Sequence, residues 1–494
     1  MSKFNNQSVG TRTTNLAGGV SYSETPKLEF VSLLLTSFVE DQFYRNASDS
    51  LTKLKGLINS IDDKEFIAKA LIYARNEFGM RSISHAGIVE LMRTVNGVNW
   101  TKQAVYNVVR RVDDITEILS YQLNTYKKPI PNALKKGLAK AFSKFDEYQL
   151  SKYRGENKEV SLVDAVNILH PKPNTVNAEA LTKLINGTLK NIDTWESKLT
   201  QAGQVAESDD EKAELKANAW AELISSKKIG YFALLRNLRN IVEQAPYLTS
   251  IACGMLTDRQ LIKKSLVLPF RYLTAINELE KIPSPEARQI LIALNNAVDI
   301  SCDNIPEFKG KTLVVIDYSG SMGSGMNSYR GKGTLFGALM AKANNADVMI
   351  FGDDAAYVPY NPQDSVLTIT KNIMKHNVGW GSQSNDGEIR VGHGTNFNSI
   401  FTRIKGSYDR IIIFSDMQGL RGYYSPIIKF NEYKLNNPNV SLYSFDLAGY
   451  GTLEFPQRNV YALAGFSEKI FNVMKLLEQD RNALVTTIEN YEVK

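Results

Sequence analysis

The chain has 494 residues, with 58 Lys plus Arg against 52 Asp plus Glu and a formal net charge of +6. Hydrophobic residues make up 43% and charged residues 22%, the proportions of an ordinary globular protein. This excludes a wholly disordered chain or a collagen-like fibre, and no apolar run reaches the ~18 residues of a membrane-spanning helix.

At about 100–200 residues per domain, the length predicts two to four domains. The charge is unevenly spread. Residues 1–300 hold 39 basic against 33 acidic side chains, and residues 301–494 balance to zero. Within residues 121–158, nine Lys or Arg face three acids, an excess equal to the whole net charge. A local basic patch can gather a polyanion, whereas a mild overall charge cannot by itself. The two cysteines, Cys253 and Cys302, lack metal-ligand spacing and predict reduced thiols in a cytoplasmic protein.

Residues 1–25 are rich in Asn, Ser, Thr and Gly and read as a flexible or extended arm. Residues 26–305 read as an array of antiparallel helices. Apolar residues recur at helical spacing at Phe66, Ile67, Ala70, Leu71 and Ala74, and again at Leu134, Leu138, Phe142 and Phe145. The pattern returns at Ala287, Ile290, Leu291, Leu294 and Val298. Gly79, Pro129-Ile130-Pro131, Pro171-Lys172-Pro173 and Pro283-Ser284-Pro285 interrupt it. Residues 205–216 read as an acidic loop running into a helix.

Lys136, Lys140 and Lys144 step by four, so on a helix they share one face, opposite the Leu/Phe stripe, with Lys135 beside them. Like charges at this spacing repel by ~0.2–0.5 kcal/mol per pair. A ridge kept despite that cost points to an anionic partner, although a solvated helix face would look the same. Lys152, Arg154 and Lys158 follow, with Tyr148 and Tyr153 placed to stack on unpaired bases. Ser161 and Asp164 form the ends of a capping box that starts a helix. That helix stops at His170-Pro171-Lys172-Pro173, with His170 and Lys172 at its C-terminal edge, where a histidine can also serve as a plain cap.

Residues 306–494 change pattern. Thr312–Asp317, Val348–Phe351, Ile411–Phe414 and Leu442–Phe445 are apolar, β-branched or aromatic runs of the kind buried on both faces of a parallel sheet. Helical stretches at Thr334–Ala343, Asn398–Ile404 and Ser425–Tyr433 alternate with them, giving an α/β domain. Ligands bind at the carboxyl ends of such strands. The first strand runs into Asp317-Tyr318-Ser319-Gly320-Ser321, the Ile411–Phe414 strand into Ser415-Asp416, and Gly-flanked Thr395 opens a helix between them. Two carboxylates and three hydroxyls are hard oxygen donors of the kind octahedral Mg²⁺ takes, with waters or a partner's acidic oxygen completing the shell.

Asp317, Ser319, Ser321, Thr395 and Asp416 resemble the metal-ion-dependent adhesion site of von Willebrand factor A domains. That resemblance implies direct coordination by Ser319 and Ser321. It implies direct or water-mediated coordination by Thr395, mostly water-mediated contacts from Asp317 and Asp416, and capture of a partner's acidic group by the cation. A phosphatase of the aspartyl-intermediate type wants a second Asp where Ser319 stands. No H-x-x-x-H, G-x-S-x-G or Walker spacing appears either, so no enzymatic activity is expected.

The helical part resembles the TROVE module. The matching stretches include Tyr73–Arg81, Arg110–Asp114, Pro131–Tyr153, Leu169–Pro173, Leu235–Asn240 and Leu268–Arg271. A TROVE module followed by a von Willebrand A domain is similar to the family of the Ro autoantigen and its bacterial orthologues. The resemblance implies a HEAT-like helical superhelix forming a ring, closed by the A domain and monomeric. It implies Y RNA on the basic outer surface and 3′ ends of misfolded RNA in the hole. It also implies a possible tether through RNA to an exoribonuclease, and no membrane partner. By motif, Lys152 belongs to the outer Lys-Tyr segment, His170 to the histidine near the hole, and Arg154 or Lys158 to the next basic position. Arg236 and Arg239 read equally well as RNA contacts or as buried structural arginines. Two other readings stand beside RNA binding: a cation-dependent protein-binding module, and a Mg²⁺-dependent hydrolase.

Overall fold

The computed structural model describes residues 12–14, 20–23, 25–36, 47–127, 129–153, 158–189, 199, 208–226, 229–265, 267, 270–377, 387–419, 427–449, 452–453, 455, 460–464, 471, 474 and 483–492. Arg154 lies outside them. After α1 (Pro26–Thr36) come α2 (Ala47–Ser60), α3 (Lys64–Glu77), α4 (Ser82–Thr94), α5 (Thr101–Val108), α6 (Val112–Tyr126) and α7 (Asn132–Ala141). Next are α8 (Glu147–Lys152), α9 (Leu162–Leu169), α10 (Ala178–Ile185), α11 (Asp209–Ser225), α12 (Tyr231–Gln244), α13 (Thr249–Leu256), α14 (Arg259–Ser265), α15 (Phe270–Leu279) and α16 (Pro285–Ser301).

Local chemistry sets several of these ends. Asp63 caps α3 by accepting from the Phe66 N–H at 3.0 Å. The Ser161/Asp164 capping box forms as the spacing predicts, with the Asp164 N–H donating to Ser161 Oγ and the Ser161 N–H to Asp164 Oδ2. The apolar stripes at 66–74 and 134–145 are buried throughout. Gly137 lets α7 lie against α5, since a Cβ there would sit 2.5 Å from Val105 Cβ.

Within residues 1–25, the two described stretches 12–14 and 20–23 are paired strands. β1 (Arg12–Thr14) and β2 (Val20–Ser23) are antiparallel, and β2 pairs with β8 (Thr452–Leu453). The second sheet contains β3 (Thr312–Asp317), β4 (Asp347–Phe351), β5 (Ala355–Tyr357), β6 (Arg410–Ser415), β7 (Ser441–Asp446) and β9 (Val460–Ala464), in the order β5-β4-β3-β6-β7-β9. Only β5 pairs antiparallel in it. Sequence patterning finds the four central strands to within a residue and misses the short edge strand β5 and β9. Val314 and Ile316 face α17 (Tyr329–Asn344), where Gly337 lets the helix approach: a Cβ there would meet Ile316 Cδ1 at 2.8 Å. α18 (Val366–Met374) packs on α17. Leu313 and Val315 face the opposite way, into a core built with Phe397, Ile400 and Phe401 of α19 (Phe397–Arg403) and Phe430 and Tyr433 of α20 (Ile427–Asn436). α21 (Ala483–Glu489) ends the described chain's helices.

The chain divides into two compact units: residues 1–36, 41–46 and 221–484, and residues 37–40, 47–220 and 485–494. The division cuts the helices at 220, while the change from helix to strand falls near 306. Neither cysteine is in a disulfide. Among the described residues, no helix is long and apolar enough to cross a membrane.

Candidate cation site and basic helix face

β3 is flanked by β4 on one side and β6 on the other, so the chain switches direction across the sheet at β3. The crevice at such a switch point, beyond the carboxyl ends of the strands, is where α/β sheets bind ligands. Here it holds Asp317 at the end of β3 and Asp416 just past β6. Both are fully buried, and Ser319, Ser321 and Thr395 are buried with them. Asp317 accepts from Ser415 Oγ at 2.5 Å and from the Ser319 N–H at 2.8 Å. Ser319 Oγ and Ser321 Oγ lie 3.2 Å apart.

The Thr395 loop is stitched into place. The Gly320 N–H donates to the His393 carbonyl at 2.9 Å, tying it to the D-x-S-x-S turn. Asp353 Oδ2 accepts from the His393 and Gly394 N–H groups at 3.0 and 3.1 Å. The Asn396 N–H reaches the Gly352 carbonyl at 2.9 Å. Gly352 is needed for this approach, because a Cβ there would meet the Gly392 oxygen at 2.3 Å.

Burial pushes Asp317 up to about 6, against the hydrogen bonds from Ser415 and Ser319. Burial, and then the Asp317 charge, raise Asp416 well above the usual carboxylate range. The Ser321 hydroxyl offsets this only in part, and neither Asp416 carboxylate oxygen has a well-formed hydrogen bond among the described residues. Two buried carboxylates side by side, one of them poorly satisfied, are costly unless a cation joins them. The donor set therefore fits a hard divalent cation.

In the other unit, α7 lies between α5 and α9. Lys136 and Lys140 are exposed on it, and Lys135 is half-buried. Lys140 Nζ donates to Gln103 Oε1 at 2.6 Å and lies 4.6 Å from the Tyr106 ring centre. Lys144 leaves the expected ridge. The α-helix ends at Ala141 and tightens into a 3₁₀ turn at Phe142–Lys144, which breaks the four-residue register. Lys144 Nζ instead caps the carbonyls of Tyr106 and Val109 at 2.5 and 2.6 Å, and burial pushes it down to about 8.

The loop after His170 returns to the same helix end. Asn174 Nδ2 donates to the Ser143 carbonyl at 3.0 Å, and Asn177 Nδ2 to the Phe142 carbonyl at 2.8 Å. His170 and Lys172 are both exposed on this stretch. His170 ends α9 in the left-handed region, with φ 53°, and donates its N–H to the Val166 carbonyl at 2.9 Å. Lys152 is half-buried, 5.7 Å from the Tyr153 ring, and Arg111 covers that ring at 4.8 Å. Arg111 and Tyr106 are absent from the sequence-derived set. They meet these residues through contacts over more than thirty positions, which no local pattern signals.

Arg236 and Arg239 are exposed, not buried. They line a groove of about 590 Å³ between α12 and α15 with Phe232, Arg271, Thr274 and Glu278. Phe232 is 41% exposed, with the Arg236 guanidinium 5.8 Å from its ring centre.

The TROVE-like stretches 73–81 and 110–114 converge on one buried hub. Asp114 accepts from Arg75 and Arg81, both at 2.8 Å, and from the N–H groups of Arg110 and Arg111 at 2.9 and 3.0 Å. His85 lies between Asp114 and Glu117, with Nε2 at 3.3 Å from the former and Nδ1 at 3.2 Å from the latter. These three residues could surround a metal ion. The arginines already occupy the Asp114 oxygens, so the cluster is a structural ion-pair hub.

The family model of the TROVE domain matches residues 36–216 and 188–302, together more than half of the chain. The chain belongs to the TROVE family. Telomerase protein component 1 of Mus musculus is 22% identical over 350 residues, covering 52% of this chain and 13% of that protein. The chain thus spans only a small part of that relative's length. The crystal structure of the Deinococcus radiodurans RO (RSR) protein superposes with a TM-score of 0.61 at 17% identity, over 95% of this chain and all of that one. This likeness shows the fold, a TROVE helical array with a C-terminal α/β sheet. Membership of the TROVE family supports an RNA-binding, ribonucleoprotein role in general terms.

Proposed function

We propose that this TROVE chain binds structured noncoding RNA of the Y RNA kind, and RNA with unpaired 3′ ends, as a non-catalytic RNA quality-control or scaffold protein of the cytoplasm. The observation that carries this reading is the basic face of α7 joined to the His170 loop. Lys136 and Lys140 stand exposed on the helix, while Asn174 and Asn177 tie the loop bearing His170 and Lys172 to its end. Lysines at this density contact phosphates and release counterions, so affinity falls steeply with salt. The Arg236–Arg271 groove, with Phe232 on its wall, suits unpaired nucleotides through phosphate contact and stacking.

Filter binding of a hairpin RNA with a single-stranded 3′ tail tests this. Replacing Lys136, Lys140, Lys152 and His170 together by Ala is expected to weaken binding at least tenfold at 0.15 M salt. Unchanged affinity would overturn the named face. Labelled RNA left intact in the presence of Mg²⁺ supports the non-enzymatic reading, and cleavage overturns it.

The poorly satisfied oxygens of Asp416 favour a second activity in the same chain. Asp317, Ser319, Ser321, Thr395 and Asp416 would hold a divalent cation, Mg²⁺ by donor chemistry, as in von Willebrand A domains. The cation would supply a positive centre for an acidic side chain of a protein partner. Asp416→Ala is expected to abolish Mn²⁺ uptake measured by electron paramagnetic resonance while leaving RNA affinity unchanged.

A further inference from the structure

Arg330, at the start of α17, is 94% buried, with 6% of its surface exposed. Among the described residues no carboxylate is in ion-pair contact with its guanidinium, although the Asp317 charge favours it through space, and its Nε has no acceptor. A buried charge without a carboxylate partner is expensive, and an apolar side chain of similar size would usually stabilise the fold more. The groups that Arg330 does touch all belong to the loops of the cation site. Its Nη2 donates to the carbonyl of Tyr318 at 3.0 Å and reaches that of Ser319 at 3.5 Å. Its Nη1 donates to the carbonyl of Asn377 at 3.4 Å. The guanidinium also stacks on the Tyr318 ring, 4.8 Å from its centre.

Asn377 carries the connection onward. It is 1% exposed and sits at φ 52°, in the left-handed region. Its Nδ2 donates to the Gly392 carbonyl at 2.7 Å, and its Oδ1 accepts from the Val391 N–H at 3.1 Å. Arg330 therefore spans the D-x-S-x-S turn on one side and, through Asn377, the Thr395 loop on the other. A guanidinium offers several donors in one rigid plane, and a lysine ammonium cannot address three carbonyls so spaced.

We propose that Arg330 is the positioning residue of the cation site, holding the Ser319 turn and the Thr395 loop at the separation an octahedral Mg²⁺ shell requires. This rests on the cation-site reading above. Mg²⁺ demands near-ideal geometry at about 2.0–2.1 Å, whereas Ca²⁺ accepts longer and irregular shells at about 2.3–2.6 Å. Loosening the two loops should therefore penalise Mg²⁺ far more than Ca²⁺. A merely structural residue would change both affinities together, and so would a pure charge effect.

The test uses the full chain, with Mn²⁺ as the probe and Mg²⁺ or Ca²⁺ as competitors, followed by electron paramagnetic resonance. Arg330→Lys, which keeps the charge, is expected to shift the Mg²⁺-over-Ca²⁺ preference at least tenfold towards Ca²⁺. The ratio is taken within one protein sample, so a general loss of stability cancels from it. Should Arg330→Lys fail to fold, Asn377→Gly is read in the same way. Glycine accepts the left-handed φ, and the amide's bonds to the Gly392 and Tyr318 carbonyls and to the Val391 N–H are lost while the backbone carbonyl that Arg330 addresses remains. An unchanged preference, or equal weakening or strengthening of both cations, overturns the positioning role and leaves the cation site standing. A wild-type chain that takes up no Mn²⁺ overturns both.

Discussion

Asp114 draws donors from Arg75, Arg81 and two backbone N–H groups while fully buried. Burial opposes its charge, but the His85 hydrogen bond and the Arg75 and Arg81 charges prevail and hold it well below the usual carboxylate range. Removing one partner of such a hub strands the others. Asp114→Asn is expected to cost about 3–5 kcal/mol in urea unfolding followed by circular dichroism. The sign with pH follows from the lowered value. The stabilisation is fully present above the unfolded carboxylate value of about 4 and erodes as pH falls below it. The gap between wild type and Asp114→Asn should therefore narrow in acid, and a gap that stays constant from pH 7 to 3 would contradict this assignment. His170 supports a prediction of the opposite kind. Glycine is the favoured residue at a left-handed helix cap. His170→Gly is expected to keep or raise stability, by up to about 1 kcal/mol, while weakening RNA binding. A histidine kept only as a cap would leave RNA affinity unchanged.

At the scale of elements, α7 separates two kinds of lysine that look alike in sequence. Lys136 and Lys140 point outwards, and reversing each to Glu should lower the slope of log affinity against log salt by about 0.7–0.9 per lost phosphate contact. Lys144 caps α5, so Lys144→Met should leave that slope alone and cost about 1–3 kcal/mol of stability, because two carbonyls lose their donor. The four-residue spacing was legible in the sequence. The 3₁₀ turn at Phe142 that breaks it was not, since it depends on how Phe142 and Phe145 pack. The same contrast holds in the sheet. Thr312–Asp317 announces itself by composition, and the oxygen donors at its end by their spacing. Arg330 gives no such signal, because a charged residue near a helix start is ordinary and its partner Asn377 lies 47 positions away. The Arg75–Asp114 hub is equally silent as an ion-pair cluster, for Arg75 and Asp114 lie 39 positions apart.

At the scale of the whole molecule, the second unit takes residues 37–40 and 47–220 and then, far along the chain, residues 485–494. The return is specific. Tyr491 sets its ring edge-on to Tyr73 of α3 at 5.3 Å and donates its hydroxyl to Glu77 at 3.0 Å. Lys69 Nζ holds the Glu489 carbonyl at 2.6 Å. Tyr73 and Glu77 both lie in the stretch that marks the TROVE family, so the last described residues cover part of that signature. An aromatic pair contributes about 0.5–1.5 kcal/mol, and a hydrogen bond to a charged group about 1.5–3. The contact closes a segment distant in sequence, and part of that gain is spent on ordering it. Tyr491→Ala is therefore expected to speed amide exchange in α3, Lys64–Glu77, by about tenfold, or 1.4 kcal/mol. Tyr491→Phe, which keeps the ring and loses the Glu77 bond, should fall between it and wild type. Local exchange is the right measure, because a chain of two units need not unfold in one step. If α3 exchanges at the wild-type rate in Tyr491→Ala, the returning segment rests on α3 without supporting it.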